Sequence, residues 1–356
     1  MINVLMIGNH PTNKGGMTSV INQIRNHDWN QEGINLSFIP TYMPGNPIKK
    51  IIFFSCSYLK ILFRFITNKP DVVHMHMSYK GSFTRKYAIH KLCKRFNIKD
   101  IIHLHGSEFE KWFYEVDEEK RKNIKTLLSE ANCFIVLGEG WKNIVKTIEP
   151  ATKVAVISNG IEIPKETVQW NEDYCQALFL GVLIPRKGVS DLIKAVEIIK
   201  DKGVCNLRFA IAGTGEEEEK LKELVTEKHL EDLVSFVGWV AGDKKRNLLL
   251  ESQVLVSPSY NEGLPISILE AASYGMPIVS TDVGDISMIV RDGINGYLIN
   301  PGEVEDLAKA IMNASLRENF ERMSFESRKK AEESFSIDVF YIKLLEIYRS
   351  VGEANG

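Results

Sequence analysis

The stretch QALFLGVLIPRKGVSDLIKAVEIIKDK, residues 176–202, contains the repeating unit on which the fold depends. Its first six residues form a short, largely apolar run that ends at Gly181, the pattern of a strand buried on both faces of a parallel sheet. A turn with Arg186 and Lys187 follows, and residues 189–202 then have the apolar spacing of a helix. This order of strand, turn and helix predicts an α/β fold with a parallel sheet.

The same unit recurs in two successive series along the chain. Strands are predicted at 3–8, 35–40, 71–77, 100–106, 132–138 and 153–159, then at 176–181, 206–213, 234–238, 254–258, 277–281 and 297–300. Helices of the second series are predicted at 189–202, 217–228, 264–274 and 304–313, and from about 325 to 349. Each series predicts a doubly wound, Rossmann-like domain. Because ligands bind beyond the carboxyl ends of such strands, we expect the two domains to face each other across a cleft.

The length of 356 residues agrees with two domains. The polar stretch 161–171 is predicted to link them, since it breaks the alternating pattern. The predicted domains are residues 1–163 and 164–335, and residues 336–356 are predicted to form a helix that packs back toward the first domain.

Composition excludes several classes of protein. Apolar residues make up 44% and charged residues 25%, which is ordinary for a globular chain and excludes disordered and collagen-like proteins. The longest strictly apolar run, Ile51–Phe54, is far shorter than a membrane span, and residues 1–8 lack the features of a signal peptide, so a cytoplasmic protein is predicted. The five cysteines have no metal-site spacing and are predicted to be reduced thiols of the core.

Charge is distributed unevenly between the two halves. Residues 1–165 hold 23 Lys and Arg against 14 Asp and Glu, whereas residues 166–356 hold 21 against 32. A basic first half indicates contact with an anionic surface, although chance variation of surface charge is an alternative. No nucleic-acid partner is expected.

Two segments have the features of phosphate sites. Gly15 and Gly16 lie between the first predicted strand and a helix, where glycine allows backbone amides to approach an anion near the positive helix end. Arg186 and Lys187 follow the first strand of the second series and offer a bidentate and a compact cation. By contrast, the stretch 212–219 lacks the third glycine of a dinucleotide fingerprint and carries four glutamates at the start of a helix, which argues against NAD.

The segment 257–272 combines a loop, a helix start and two carboxylates. Glu262 and Gly263 lie at the predicted mouth of the site, and Glu270 lies eight residues further on, among apolar neighbours in the helix. A buried carboxylate is costly unless a group donates to it, and vicinal sugar hydroxyls are suitable donors. The alternatives are a surface glutamate for Glu262 and a salt bridge for Glu270.

Four histidines alternate on two predicted strands, as His74 and His76 on one and His103 and His105 on the next. Alternation places both members of a pair on one face, where they could bind a metal, but no third ligand is evident from the sequence. We therefore predict no metal site, with His105 as the functional residue and the other three packed or hydrogen-bonded.

The stretch 48–66 predicts a very apolar helix with a basic stripe. At ~100° per residue, Lys49, Lys50, Lys60 and Arg64 fall within an arc of roughly 100°. Such a helix suits an anionic membrane surface, and a second basic group follows between residues 80 and 99. The alternative is a Rossmann helix packed on its own sheet with a solvated edge.

Taken in order, these elements resemble the retaining family 4 glycosyltransferases of the GT-B architecture, which have two Rossmann-like domains. The matching elements are Gly15-Gly16, residues 103–108, Arg186-Lys187-Gly188, residues 212–215, the Glu262–Glu270 pair, and residues 281–284 with 292–296. Asp285 departs from the family pattern, since many relatives repeat glycine there.

The resemblance implies a role for each matching position. Arg186 and Lys187 would hold the donor diphosphate and stabilise the leaving nucleotide, with Gly15 and Gly16 beside it. A further set would contact the donor sugar or ribose: His105, Glu262, Gly263, Leu264 and Glu270. The first domain would bind the acceptor, and attack on the front face of the sugar would retain its configuration.

The sequence therefore predicts a glycosyltransferase that needs no metal or cofactor, because no Asp-x-Asp motif is evident and protein cations can neutralise the diphosphate. Its expected substrates are a nucleotide-diphosphate sugar, most simply a UDP-sugar, and a glycan or lipid-linked acceptor of bacterial surface polysaccharide synthesis. Peripheral contact with the inner face of the membrane is expected. The alternatives are a soluble transferase acting on a small molecule, a nucleotide-sugar epimerase, and a non-catalytic binding module.

Overall fold

The computed structural model describes residues 1–13 and 15–353, which form two compact units. The first unit contains residues 1–159 together with the C-terminal residues from Asp338 onward. The second unit contains residues 160–337. Each unit is built around its own six-stranded sheet.

In the first unit, strands and helices alternate along the chain. The strands are β1 (Ile2–Asn9), β2 (Ile34–Tyr42), β3 (Val72–Met77), β4 (Lys99–Leu104), β5 (Cys133–Val136) and β6 (Val154–Val156). The helices are α1 (Gly16–Asn26), α2 (Pro47–Thr67), α3 (Gly81–Arg95), α4 (Phe109–Glu115), α5 (Glu118–Glu130) and α6 (Glu139–Ile148). All strand pairs are parallel in the order β2-β1-β3-β4-β5-β6, so the order reverses between β1 and β3.

The second unit repeats this architecture. Its strands are β7 (Cys175–Leu180), β8 (Leu207–Ala212), β9 (Val234–Gly238), β10 (Val254–Ser257), β11 (Ile278–Thr281) and β12 (Gly296–Ile299). Its helices are α7 (Val189–Asp201), α8 (Glu218–Glu227), α9 (Gly242–Glu251), α10 (Ile266–Ser273), α11 (Val304–Ala314) and α12 (Arg317–Phe335). The parallel order β12-β11-β10-β7-β8-β9 reverses between β7 and β10. In open α/β sheets, ligands bind beyond the strand ends at such a reversal.

These observations confirm the predicted fold class and all twelve predicted strands, within a few residues at each end. The helix predicted from about 325 to 349 is wrong as one continuous element, whereas a helix was also predicted to begin at residue 336. Two helices, α12 and α13 (Ile337–Gly352), are separated at Ser336, because the extended backbone there pairs with Ile161 and the amide of Ile337 donates to the Ile161 carbonyl at 2.8 Å.

Helix α13 belongs to the first unit from Asp338 onward. Tyr348 is completely buried and its hydroxyl lies 2.8 Å from Nδ1 of His74 on β3. The Tyr341 hydroxyl donates to the Gln23 carbonyl at the end of α1, at 3.1 Å. Helix α13 is therefore part of the first unit's core.

The sequence predicts that all five cysteines lie in the core, and for two of them this prediction is wrong. All five are free thiols, and Cys93, Cys133 and Cys175 are buried, but Cys56 and Cys205 are exposed. Cys56 is exposed because it lies on the outer side of α2, and Cys205 because it lies in the loop before β8. Among the described residues, no helix is both long and apolar enough to span a membrane.

Candidate functional site

The loops at the carboxyl edge of the second unit's sheet pack backbone against backbone. Gly188 follows β7 with a φ of +67°, and a Cβ there would lie 2.0 Å from the Pro258 carbonyl oxygen of the loop after β10. Gly284 follows β11 with a φ of +61°, and its Cβ would lie 2.2 Å from the Glu262 carbonyl oxygen. Neither position has room for a side chain, so glycine is what brings these three loops together.

Glu262 is the centre of a charged cluster at this edge. The carboxylate is 7% exposed, forms an ion pair with Lys187, and lies 3.6 Å from Nη1 of Arg186. The Ser259 hydroxyl also donates to it at 2.8 Å, and Arg186 donates to the Asn261 carbonyl at 2.8 Å. Two cations therefore share one carboxylate, which leaves a net positive charge at the point where ligands bind in this fold.

Arg186 and Lys187 differ in how far they are committed to that cluster. Both lie in a short 3-10 helix, Pro185–Lys187, directly after β7. The Lys187 side chain is 15% exposed, whereas that of Arg186 is 34% exposed. This arrangement can bind a diphosphate through a partly exposed guanidinium and a desolvated ammonium.

Glu270 on α10 forms an ion pair with Lys245 on α9, and its side chain is 17% exposed. The salt bridge that the sequence analysis left as an alternative is therefore present, but between two helices. Lys245 was missed because α9 was not predicted, although the run Lys244-Lys245-Arg246 was a visible signal. The pair holds the carboxylate in place and leaves open its predicted role with ribose.

Gly263 and Leu264 complete the loop before α10. The Gly263 carbonyl accepts from the Asp285 amide at 3.0 Å, and Leu264 is buried. The helix begins at Ile266, two residues later than predicted, because Pro265 has an extended backbone and stands at the N-cap. Asp285, which departs from the family pattern, thus supports the loop that carries Glu262.

Gly15, Gly16 and His105 belong to the first unit, at the carboxyl ends of β1 and β4. Gly15 has a φ of +124° and its carbonyl accepts from the Thr18 amide, so it caps α1. His105 directly follows β4, as predicted, and its amide donates to the Met77 carbonyl at 2.8 Å. The second unit therefore brings together Arg186, Lys187, Glu262 and Gly263, and the first unit contributes a separate set.

The four histidines form one stacked column in the first unit. The ring of His105 lies against that of His76, with Nε2 and Nδ1 2.9 Å apart, and the rings of His74 and His103 stack at 5.5 Å. Burial lowers the pKa of His74 and of His105 to about 3, and the pKa values of His76 and His103 lie well below their usual range for the same reason. All four imidazoles are therefore neutral at physiological pH.

His74, His76 and His103 are the residues of the column that could bind a metal. Their ligand atoms lie within 4.8 Å of one another, so His103 is the third imidazole that the sequence analysis could not place. Neither ring nitrogen of His103 has a hydrogen-bond partner among the described residues. Burial first, and to the smallest extent the charge of Lys86, lowers the pKa of His76, and a positive charge at Lys86 would repel a cation. Absence of a metal remains a prediction.

Helix α2 packs on the first unit along a narrow strip. Within α2, all of whose residues are described, Ser57, Ile61 and Phe65 are the buried side chains. Six large apolar side chains are 58–69% exposed: Ile48, Ile51, Ile52, Leu59, Phe63 and Ile66. Lys49, Lys50 and Lys60 are exposed as well, and Arg64 is half-buried. Packing on the sheet accounts for the buried side chains and for the partly buried Phe54, Tyr58 and Leu62, but not for the six exposed apolar ones.

Lys86 belongs to the basic group between residues 80 and 99, which the sequence predicts to lie on the surface. For Lys86 this prediction is wrong. It is completely buried, because its position on α3 faces the sheet together with Phe83, His90 and Cys93.

Comparison with known proteins identifies both units. The family model described as Glycosyltransferase Family 4 matches residues 20–164, and the model described as Glycosyl transferases group 1 matches residues 161–333. The amylovoran biosynthesis glycosyltransferase AmsK of Erwinia amylovora is 26% identical over 288 residues, which cover 78% of this chain and 69% of that protein.

Two further proteins agree with these matches. An Escherichia coli UDP-Gal:alpha-D-GlcNAc-diphosphoundecaprenol alpha-1,3-galactosyltransferase is 26% identical over 347 residues, which cover 90% of this chain and 85% of that protein. The crystal structure of Anabaena HepE in complex with UDP and glucose superimposes with a TM-score of 0.78 at 16% identity, and the match covers 98% of this chain and 100% of that one. The chain is a glycosyltransferase that belongs to family 4 and has the two-domain GT-B fold.

Proposed function

We propose that this enzyme transfers a sugar, with retention of configuration, from a UDP-sugar to a lipid-linked glycan at the inner face of a bacterial membrane, in surface polysaccharide synthesis. The E. coli relative is named for a UDP-sugar donor and a diphosphoundecaprenol-linked acceptor, and AmsK for polysaccharide biosynthesis. The structure named for HepE contains UDP. The observation that carries the donor half of the proposal is the cluster of Arg186, Lys187 and Glu262.

The proposed reaction places negative charge where this cluster lies. When the bond from sugar C1 to the phosphate oxygen breaks, its electron pair stays on the diphosphate. Arg186 and Lys187 neutralise that charge without a metal, as preorganised cations do in a partly desolvated site. The acceptor hydroxyl attacks C1 from the same face, and its proton passes to the departing phosphate oxygen, so no covalent nucleophile is required.

Glu262 has a supporting part in this scheme. Its ion pair holds Lys187 in position before the donor arrives, and its carboxylate is the predicted contact for a sugar hydroxyl. Glu270, held by Lys245, is the predicted acceptor for the ribose hydroxyls. His105 is neutral, so it can lie beside the sugar as a hydrogen-bonding group without adding a positive charge near C1.

The acceptor half of the proposal rests on the outer face of α2. At ~100° per residue, the six exposed apolar side chains and Cys56 span an arc of roughly 140°. Lys49, Lys60 and Arg64 occupy the next 80° or so, on one edge of that arc. An apolar face with a flanking basic stripe suits an in-plane helix on an anionic bilayer, which would bury the side chains that the protein leaves exposed.

Two experiments test the two halves separately. For the donor site, UDP, UDP-glucose and UDP-N-acetylglucosamine should each raise the melting temperature, since they bind the folded chain alone. Lys187→Met combined with Glu262→Gln should abolish that shift without leaving a buried charge unpaired, whereas Lys222→Met, on exposed α8, should retain it. An unchanged shift in the double variant would contradict the donor site, and NMR of the first-formed product would establish retention.

For the membrane face, the two exposed cysteines offer a matched pair. An environment-sensitive dye on Cys56, in a Cys205→Ser background, should shift to the blue with phosphatidylglycerol vesicles. The same dye on Cys205, in a Cys56→Ser background, should not respond. Equal responses, or none from Cys56 at low salt, would favour a soluble transferase with a small acceptor.

A further inference from the structure

Lys86 is a fully buried lysine for which the described residues supply no counter-charge. Its Nζ contacts the Thr41 hydroxyl at 3.3 Å, and that hydroxyl donates to the Gly8 carbonyl at 3.2 Å. Within residues 1–13 and 15–353, no carboxylate pairs with it, and the charge of Arg85 acts on it as repulsion. Burial lowers its pKa to about 7. An ammonium group in such a position is costly unless an anion joins it.

Arg85, the neighbour of Lys86 in the chain, and Lys50 both contact Tyr42, and neither has an acidic partner among the described residues. The guanidinium of Arg85 lies 4.8 Å from the ring centroid of Tyr42, and Nζ of Lys50 lies 5.8 Å from the same centroid. Nε of Arg85 is buried and has no hydrogen-bond partner among the described residues. We call Lys50, Arg85 and Lys86, with Tyr42 between them, the basic pocket.

The position of the basic pocket agrees with a ligand site. Thr41 and Tyr42 end β2, Gly8 lies near the end of β1, and Arg85 and Lys86 lie in the first two turns of α3 after β3. These are the carboxyl ends of the strands around the point where the order of the sheet reverses, where α/β folds bind ligands. Lys50 lies in the first turn of α2, about 100° around the helix from the nearest edge of its apolar outer face, so the pocket is on the side of α2 that packs on the sheet.

We propose that the basic pocket binds the diphosphate group of a prenyl-diphosphate-linked acceptor. This inference rests on the proposed lipid-linked acceptor and adds the chemical group by which the enzyme recognises it. Three cations suit the two to three negative charges of a diphosphate diester or monoester, and Arg85 can bind its oxygens in a bidentate manner. Lys49, next to Lys50 in the first turn of α2, lies at the edge of the apolar face, so the prenyl chain would leave the pocket past that turn to reach the bilayer.

Isothermal titration calorimetry of the full chain with inorganic pyrophosphate and with geranyl diphosphate tests the proposal. Saturating UDP is present throughout, so that the donor site in the second unit is occupied. We expect Lys86→Met and Arg85→Gln each to weaken binding at least tenfold. Lys91→Gln, an exposed lysine on the same helix, should stay within twofold of the wild type. Equal affinities in all four proteins, or no binding once UDP is present, would overturn the proposal.

A second arm separates the two sources of phosphate. Flotation with phosphatidylglycerol vesicles should be unchanged in Lys86→Met, because the apolar face of α2 remains intact. Parallel loss of vesicle and geranyl diphosphate binding would identify a headgroup site and overturn the assignment to the acceptor. If the donor proposal failed instead, UDP would cause no thermal shift in the wild type, whereas diphosphate binding would still depend on Lys86.

Discussion

Replacing Lys86 by methionine should make the first unit more stable while it removes a binding function. The ordinary pKa of lysine is 10.5, and burial lowers that of Lys86 to about 7. At ~1.4 kcal/mol per pKa unit, holding this side chain in the folded protein at pH 7 costs about 4 kcal/mol. Methionine has a similar length and no charge, so we expect Lys86→Met to recover on the order of 2 kcal/mol or more.

The sign of the pH dependence follows from proton counting. Between the folded pKa and the unfolded one, the unfolded chain binds a proton at Lys86 that the folded chain lacks, so the wild type becomes more stable as the pH rises. The advantage of Lys86→Met should therefore shrink by roughly 1.5 kcal/mol between pH 7 and 8.5. This pH window lies above the pKa values of the buried, neutral histidines and below the ordinary pKa of 9.0 of the buried thiols, so neither group changes its charge much within it.

Urea unfolding followed by pulsed hydrogen exchange and mass spectrometry is the appropriate assay, because peptides from β1 to α3 report on the first unit alone. The control is Lys91→Gln, which should show no pH-dependent difference from the wild type. A Lys86→Met protein that is less stable than the wild type, or a gain that is independent of pH, would refute the reasoning. Pyrophosphate should reverse the order by stabilising the wild type.

Three further predictions concern the second unit and the histidine column. Lys187→Met should lower turnover with a UDP-sugar at least 100-fold, because a preorganised cation is lost. If Lys187 only binds the donor and does not stabilise the transition state, steady-state kinetics would show a change in KM alone. Gly284→Ala should weaken UDP binding at least tenfold, because the added methyl group displaces the Glu262 carbonyl. The control is Gly293→Ala, which has a φ of +70° but open space around it and should not weaken binding. Equal UDP affinities of the two variants in calorimetry would contradict the prediction. Tyr348→Phe removes the buried hydrogen bond with His74 and should lower the free energy of unfolding of the first unit by about 1–3 kcal/mol in urea. The affinity for UDP should not change. A stability equal to that of the wild type would contradict the hydrogen bond.

The strands were predictable because each is a short apolar run bounded by glycine, proline or polar residues, a local signal. A boundary between residues 335 and 336 was predicted for the domains but not as a break within the helix of 325–349, since no glycine or proline marks Ser336 and the cause is pairing with Ile161, 175 positions earlier. Helix α9 was missed because Leu248 and Leu249 are its buried side chains, too few to give a helical period.

The burial of Lys86 could have been predicted from the spacing of the residues in α3. Phe83, Lys86, His90 and Cys93 follow the three-to-four-residue spacing of a buried stripe, so the lysine occupies an inward position of α3. For α2 the limit was different. Apart from the basic stripe, apolar side chains occupy most of the circumference of α2. Which part of that circumference the sheet covers is therefore decided by tertiary packing and not by the helix itself.

The two units handle buried charge in opposite ways. In the second unit, Lys187 pairs with Glu262 and Lys245 with Glu270, so each cation that awaits a donor has a counter-charge from the chain itself. In the first unit, the buried Lys86 and the half-buried Arg85 have none among the described residues. A paired site is stable when empty and exchanges one anion for another on binding. An unpaired site is unstable when empty, so its compensation has to come from an anion outside the chain, and a membrane-bound diphosphate beside α2 supplies that charge where the protein lacks it.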